Sequence, residues 1–199
     1  MVSQEIRGER KYHLDTSGII TLESLSVGFS SAEFGQPYQG ANFYLLEKVF
    51  DYLKEQSAND NIVDYGSGKG RVMAVAAYYG FSKITGVDFS SQLCEAARKT
   101  IVNVQKQFPY AKFNIIHTDA TTYNIEKDDN VMFFFNPFDD TVMEQIIINI
   151  RQSLRKYPRK IYVAYINPVH KDLFEHNGFK EVFYTKKMEY VEASILTNT

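Results

Sequence analysis

Asp64-Tyr65-Gly66-Ser67-Gly68-Lys69-Gly70 places an acid and three alternate glycines directly after the apolar pair Ile62-Val63. Residue types in that order end a buried strand, turn the chain tightly and open a helix at once. Only glycine takes the positive φ and close backbone approach of such a turn. The turn gathers free backbone N–H groups and the positive end of a helix dipole at one point, which suits an anionic group on a ligand. Asp88 ends the next apolar segment, where a carboxylate can accept both hydroxyls of a ribose. Loop and acid together read as a nucleotide-type cofactor site.

Three glycine-rich chemistries compete for this loop. A Walker A loop needs four residues between its first Gly and the Gly-Lys pair, and Ser or Thr after the Lys. Val63 and Gly70 occupy those positions here, so that pattern fails twice. The dinucleotide fingerprint G-x-G-x-x-G uses its third glycine for close helix–strand packing beside a pyrophosphate. Arg71 stands at that place. The departure favours a ligand without pyrophosphate, such as S-adenosylmethionine, whose adenosine needs the acid and whose amino-acid end needs the turn.

The loop, the acid and the order of elements over roughly residues 38–196 resemble the class I S-adenosylmethionine-dependent methyltransferases, in particular small bacterial members with an FNPF segment. The resemblance implies that Gly66, Ser67, Gly68 and Gly70 hold the methionine end and that Asp64 orders the loop and engages the ammonium. Asp88 then binds the ribose and Phe89 covers adenine, while Asp119-Ala120 meets the adenine amino group. Asn136-Pro137-Phe138 is similar to the Asn-Pro-Pro-aromatic motif of nitrogen methylases, without its second Pro. By that likeness Asn136 and the Pro137 carbonyl orient the acceptor, and Phe138 packs on it. Tyr38 and Phe34 lie where related enzymes fold an N-terminal segment over the cofactor. A strand-ending Asn-Pro turn and a turn-forming Asp119 are the plain structural alternatives. His117, near the site, reads as a structural residue before a general base.

These residues need a frame that brings them to one edge. Strand and helix patterns alternate from about residue 61, which specifies an α/β fold, a parallel sheet covered on both faces. Strands are expected at about 61–66, 83–88, 113–117, 131–136 and 160–166. Helices fall at about 41–56, 70–79, from Ser90 or Ser91 to Phe108, from Asp139-Asp140 through Leu154, and 169–176. Met132-Phe133-Phe134-Phe135 shows no alternation, as a strand buried on both faces would. Segments 180–185 and 188–196 are too close for a parallel crossover and form an antiparallel hairpin. The whole is a Rossmann-like, seven-stranded, mostly parallel sheet, in which ligands sit beyond the carboxyl ends of the strands. Residues 1–18 are polar and charged and 19–40 read as irregular, so 1–40 form an N-terminal cap segment and 41–199 the methyltransferase domain that the resemblance implies.

Bulk properties narrow the classes. The 199 residues are 44% apolar and 23% charged, enough for one buried core. A net charge of −2 gives no general case for nucleic acid, so a protein or small-molecule acceptor is favoured. Lone Cys94 fits a reducing cytoplasm. No apolar run reaches membrane length, and the N-terminus lacks a signal peptide's apolar core. The four histidines show no metal-ligand spacing, so no metal is expected. Two other functions stay open: a cofactor-binding module without turnover, and a nicotinamide-dependent oxidoreductase. A closed acceptor pocket would favour the first, and binding of NAD the second.

Overall fold

The computed structural model describes residues 2–21, 38–58, 60–135, 138–188 and 191–198. Helix α1 (Val2–Tyr12) precedes a short antiparallel pair, β1 (Ile19–Ile20) with β2 (Tyr38–Gln39), and then helix α2 (Phe43–Glu55). Alternation follows: β3 (Asn61–Tyr65), α3 (Arg71–Tyr78), β4 (Lys83–Asp88), α4 (Ser91–Gln107) and β5 (Lys112–His117). A 3-10 turn at Ala120–Thr122 leads to β6 (Val131–Phe135), α5 (Asp140–Lys156), β7 (Tyr162–Ile166) and α6 (Lys171–His176). The hairpin β8 (Phe179–Met188) and β9 (Val191–Asn198) closes the order.

The main sheet runs β5-β4-β3-β6-β7-β9-β8. β3 to β7 are parallel, and β9 enters antiparallel between β7 and β8. Strand order therefore reverses between β3 and β4 on one side and β6 on the other, where the carboxyl ends leave a crevice. The sequence pattern explains the layers. Ile62, Phe133, Ala164 and Ile195 face one core with Leu46, Val49 and Phe50 of α2 and the alanines of α3. Val63, Met132, Phe134 and Val163 face the other with Ile146, Ile147 and Ile150 of α5 and Phe174 of α6. The unbroken apolar run of β6 is thus divided between two cores. Among the described residues, no helix is long and apolar enough to cross a membrane.

Side chains set the helix starts. Asn42 Oδ1 accepts from Tyr44 N–H at 3.0 Å, Ser90 Oγ from Leu93 N–H at 3.3 Å, and Asp139 Oδ1 from Val142 N–H at 3.1 Å. Asp139→Ala should therefore lower stability by about 1 kcal/mol in urea denaturation. An unchanged midpoint would mean that Asp140 takes over the cap.

Helix α1 lies within the polar, charged residues 1–18, for which the sequence pattern gives no element. The helix lacks a wide apolar stripe, which is why hydrophobic periodicity does not reveal it. Two features seat it instead. Gly8 lies so close to α2 that an added Cβ would collide with the Phe43 ring. Tyr12 stacks on Phe43 at 5.7 Å and meets Tyr78 edge-on at 4.9 Å. Polar anchors complete the contact: Lys11 pairs with Glu47 at 2.7 Å, and the Tyr12 hydroxyl donates to the same carboxylate.

Candidate functional site

All three glycines of the loop after β3 adopt positive φ: 77° at Gly66, 54° at Gly68 and 81° at Gly70. Gly68 has a second constraint, because a Cβ there would collide with the Tyr38 ring. The loop amides are not free, as the sequence suggested, but bonded within the protein. Gly66 and Ser67 N–H donate to the Val87 carbonyl of β4, and Gly70 N–H donates to Ser67 O. Gly68 N–H donates to Asp88 Oδ2 at 2.8 Å, and Ser90 N–H to Asp88 Oδ1 at 2.9 Å. The acid expected to hold ribose thus caps the loop from the neighbouring strand. A sugar ligand would have to exchange for those bonds or share the carboxylate with them.

Two acids set the electrostatics beside the loop. Asp64 and Asp88 are both buried. Burial and the neighbouring Asp88 charge push the Asp64 carboxyl well above its ordinary range. Burial pushes Asp88 up to about 6, opposed by the N–H bonds from Ser90 and Gly68. Asp64 Oδ2 and Ser67 Oγ are buried without a hydrogen-bond partner. Buried polar atoms are almost always satisfied, so two orphans beside one loop point to a ligand.

The cations of the loop do not face these acids. Lys69 Nζ donates to Ser17 O at 2.8 Å, and Arg71 is turned to Glu5 and Glu9 of α1. The arrangement therefore suits a ligand that brings positive charge, and it opposes a pyrophosphate.

Asp88 also sets a pH dependence. Its raised pKa means that the native state binds the proton more readily than the unfolded chain does. The contribution is fully present below the unfolded value near 4 and is lost as pH rises through about 6. At full extent it is roughly 3 kcal/mol. Urea denaturation at pH 4.5 and pH 7.5 should show wild type losing more stability across that interval than Asp88→Asn. Parallel losses would remove the assigned shift.

The described ones among the remaining sequence-selected residues follow the carboxyl ends of β4, β5 and β6. Phe89 is buried, and its carbonyl meets His117 Nε2 at 3.0 Å, so that ring has a structural contact. Asp119 Oδ1 accepts the Thr121 N–H at 2.9 Å and hydroxyl at 2.6 Å, opening the 3-10 turn in which Ala120 is buried. Phe138 is buried in the core beneath α5. Asn136, Pro137 and Phe34 lie outside the described residues.

Sequence reasoning did not find what Arg71 does. It marks Arg71 as the residue in the third-glycine position. The partners Glu5 and Glu9 are remote in sequence, on a helix without an apolar signature, so only the fold reveals the pairing.

Known proteins resemble this chain in part of its sequence and in its fold. Residues 62–157 match a family model described as a methyltransferase domain. No curated protein matches the chain by sequence. Among solved structures, the PH0226 protein of Pyrococcus horikoshii OT3 is similar, with a TM-score of 0.59 and 17% identity. That likeness covers 78% of this chain and 89% of the other. The magnesium protoporphyrin IX methyltransferase of Synechocystis PCC 6803, solved with bound S-adenosylmethionine, gives 0.53 at 15% identity and 77% coverage of each chain. Its form with bound S-adenosylhomocysteine gives 0.54 at 14% identity, over 98% of this chain and 93% of the other.

Proposed function

We propose that this chain is a class I S-adenosylmethionine-dependent methyltransferase that holds its cofactor at the glycine loop after β3 and methylates a nitrogen presented beside Asn136-Pro137-Phe138. The observation that carries the cofactor site is the pair of buried acids, Asp64 and Asp88, with the unpartnered Asp64 Oδ2 and Ser67 Oγ beside them. An ammonium and a sulfonium suit that pair, whereas a pyrophosphate does not. In this reading Asp64 and residues 66–70 take the methionine end and Asp88 the ribose. Phe89 and Asp119-Ala120 border the adenine. Residues 1–40 cap the domain formed by 41–199.

Bound there, the cofactor supplies a methyl group already activated on sulfonium. The protein's own task is then alignment. Proximity and orientation can contribute up to roughly 7–11 kcal/mol, without a nucleophilic triad. Asn136 and the Pro137 carbonyl accept from the acceptor N–H and so aim the nitrogen lone pair, and Phe138 borders the acceptor. The segment Phe135-Asn136-Pro137-Phe138 supports likening the chain to small bacterial members that carry FNPF. The net charge of −2 supports a protein or small-molecule acceptor over a nucleic acid.

The test is transfer of labelled methyl groups into fractionated cell extract. Asn136→Ala should bind S-adenosylhomocysteine as wild type does but turn over about 10²-fold more slowly. Full turnover in that variant would end the orienting role. Calorimetry with NAD in place of S-adenosylhomocysteine should give no heat of binding.

A further inference from the structure

Arg71 is the first residue of α3, where a cation opposes the helix dipole, yet it is only 2% exposed. Its guanidinium makes four contacts, three of them to the N-terminal segment. Nη1 meets Glu5 Oε1 at 2.5 Å and donates to Ala41 O at 2.8 Å. Nη2 meets Glu9 Oε1 at 2.7 Å, and Nε donates to Thr16 Oγ1 at 2.8 Å. The group also lies 4.3 Å over the Phe43 ring. From there the bonds run back to the loop. Glu9 Oε1 accepts the Thr16 N–H and hydroxyl, and Thr16 O accepts the Tyr38 hydroxyl. The Tyr38 ring rests on Gly68, with Lys69 Nζ 5.2 Å from its centroid. A closed circuit thus leaves the loop at Arg71, passes through α1 and residue 16, and returns at Gly68.

We propose that Arg71 is a positioning residue for the cofactor: it holds Thr16 and Tyr38 against the glycine loop, so that α1 governs how firmly the loop retains its ligand. The inference rests on the assignment of the glycine loop and Asp88 as the cofactor site. Arg71 touches neither cofactor nor acceptor in this scheme; it acts through Tyr38. A guanidinium is required because one planar fork satisfies four acceptors on two segments, which a lysine ammonium does not reproduce.

The experiment uses full-length Arg71→Lys, Thr16→Val, Tyr38→Phe and Asp88→Ala, with S-adenosylhomocysteine as the probe. Calorimetry gives affinity and stoichiometry, stopped flow gives the dissociation rate, and hydrogen exchange reports the amides of residues 66–70 without ligand. Arg71→Lys and Tyr38→Phe should each raise the dissociation rate by about tenfold, the loss of roughly one hydrogen bond. Stoichiometry should stay at one per chain, and exchange should quicken at the loop. The double variant should be no worse than the more affected single one, because both cut the same circuit.

A merely structural role would instead lower the fraction of binding-competent protein at unchanged affinity, and that result overturns the proposal. Wild-type dissociation in Tyr38→Phe and Thr16→Val, with binding lost in Asp88→Ala, also overturns it while leaving the site assignment intact. Wild-type binding in Asp88→Ala removes the site assignment and this inference together. If Arg71→Lys does not fold, the Tyr38 and Thr16 variants decide.

Discussion

Asp88→Asn is expected to weaken S-adenosylhomocysteine binding by about 10²-fold while leaving the ligand-free fold at least as stable at pH 7.5. The two halves of that expectation share one cause. A ribose diol donates two hydrogen bonds, and bonds to an ionised acceptor contribute about 1.5–3 kcal/mol each. Part of that gain is offset by the Gly68 and Ser90 N–H bonds that the carboxylate already accepts. A net loss near 2.7 kcal/mol, or about 10²-fold, is left. Asparagine offers one acceptor oxygen and turns an NH2 toward the other donor, so it cannot serve the diol.

In the ligand-free protein the same substitution removes a buried negative charge that sits beside Asp64. That relief opposes the loss of one backbone bond to the side chain, and the roughly 3 kcal/mol shift at Asp88 is the larger of the two effects. Binding should carry the matching signature. Wild-type affinity should rise about tenfold from pH 5 to pH 7 as Asp88 ionises, and the Asp88→Asn variant should lack that component. Equal affinities for the two proteins at pH 7.5 would show that Asp88 does not hold the ligand. A less stable variant would show that its bonds to Gly68 and Ser90 outweigh its burial.

How much of this was legible beforehand follows from the range of each signal. Local chemistry was legible. Strand β4 spans the expected residues 83–88, and Ser90 and Asp139 cap the helices they were expected to open. The hairpin was legible from connection length alone. The glycine turn was legible in type but not in wiring. Nothing local says that the Gly66 and Ser67 amides turn to Val87 O or that Asp88 caps Gly68. Helix α1 was not legible because hydrophobic periodicity reports burial of side chains. This helix is seated by a glycine pressed on Phe43 and by carboxylates reaching Arg71. Asp119 shows the limit of short matches. Its observed bonds to Thr121 belong to the turn.

Phe134→Ala is expected to be the most destabilising of these substitutions, at about 3–5 kcal/mol. Phe134 is fully buried near the carboxyl end of β6, in register with Tyr65 of β3 and Tyr165 of β7. Its ring stacks on Tyr65 at 4.9 Å and 7°, and meets Tyr165 at 5.8 Å and Phe174 of α6 at 5.6 Å. Truncation removes the middle of that aromatic row, and rigid strands on both sides hinder collapse into the cavity. For a chain of this size the midpoint of thermal unfolding should fall by roughly 10–15 °C. The consequence reaches the site, because Tyr65 is followed at once by Gly66 and Phe135 by the Asn136 segment. Loss of the row frees both loop bases, so S-adenosylhomocysteine should bind more weakly even where the variant is still folded. Phe134→Leu keeps most of the volume and should recover most of the stability but not the stacking on Tyr65. If Phe134→Ala unfolds at the wild-type temperature, the row is not the element that ties the two cofactor-edge loops to the core.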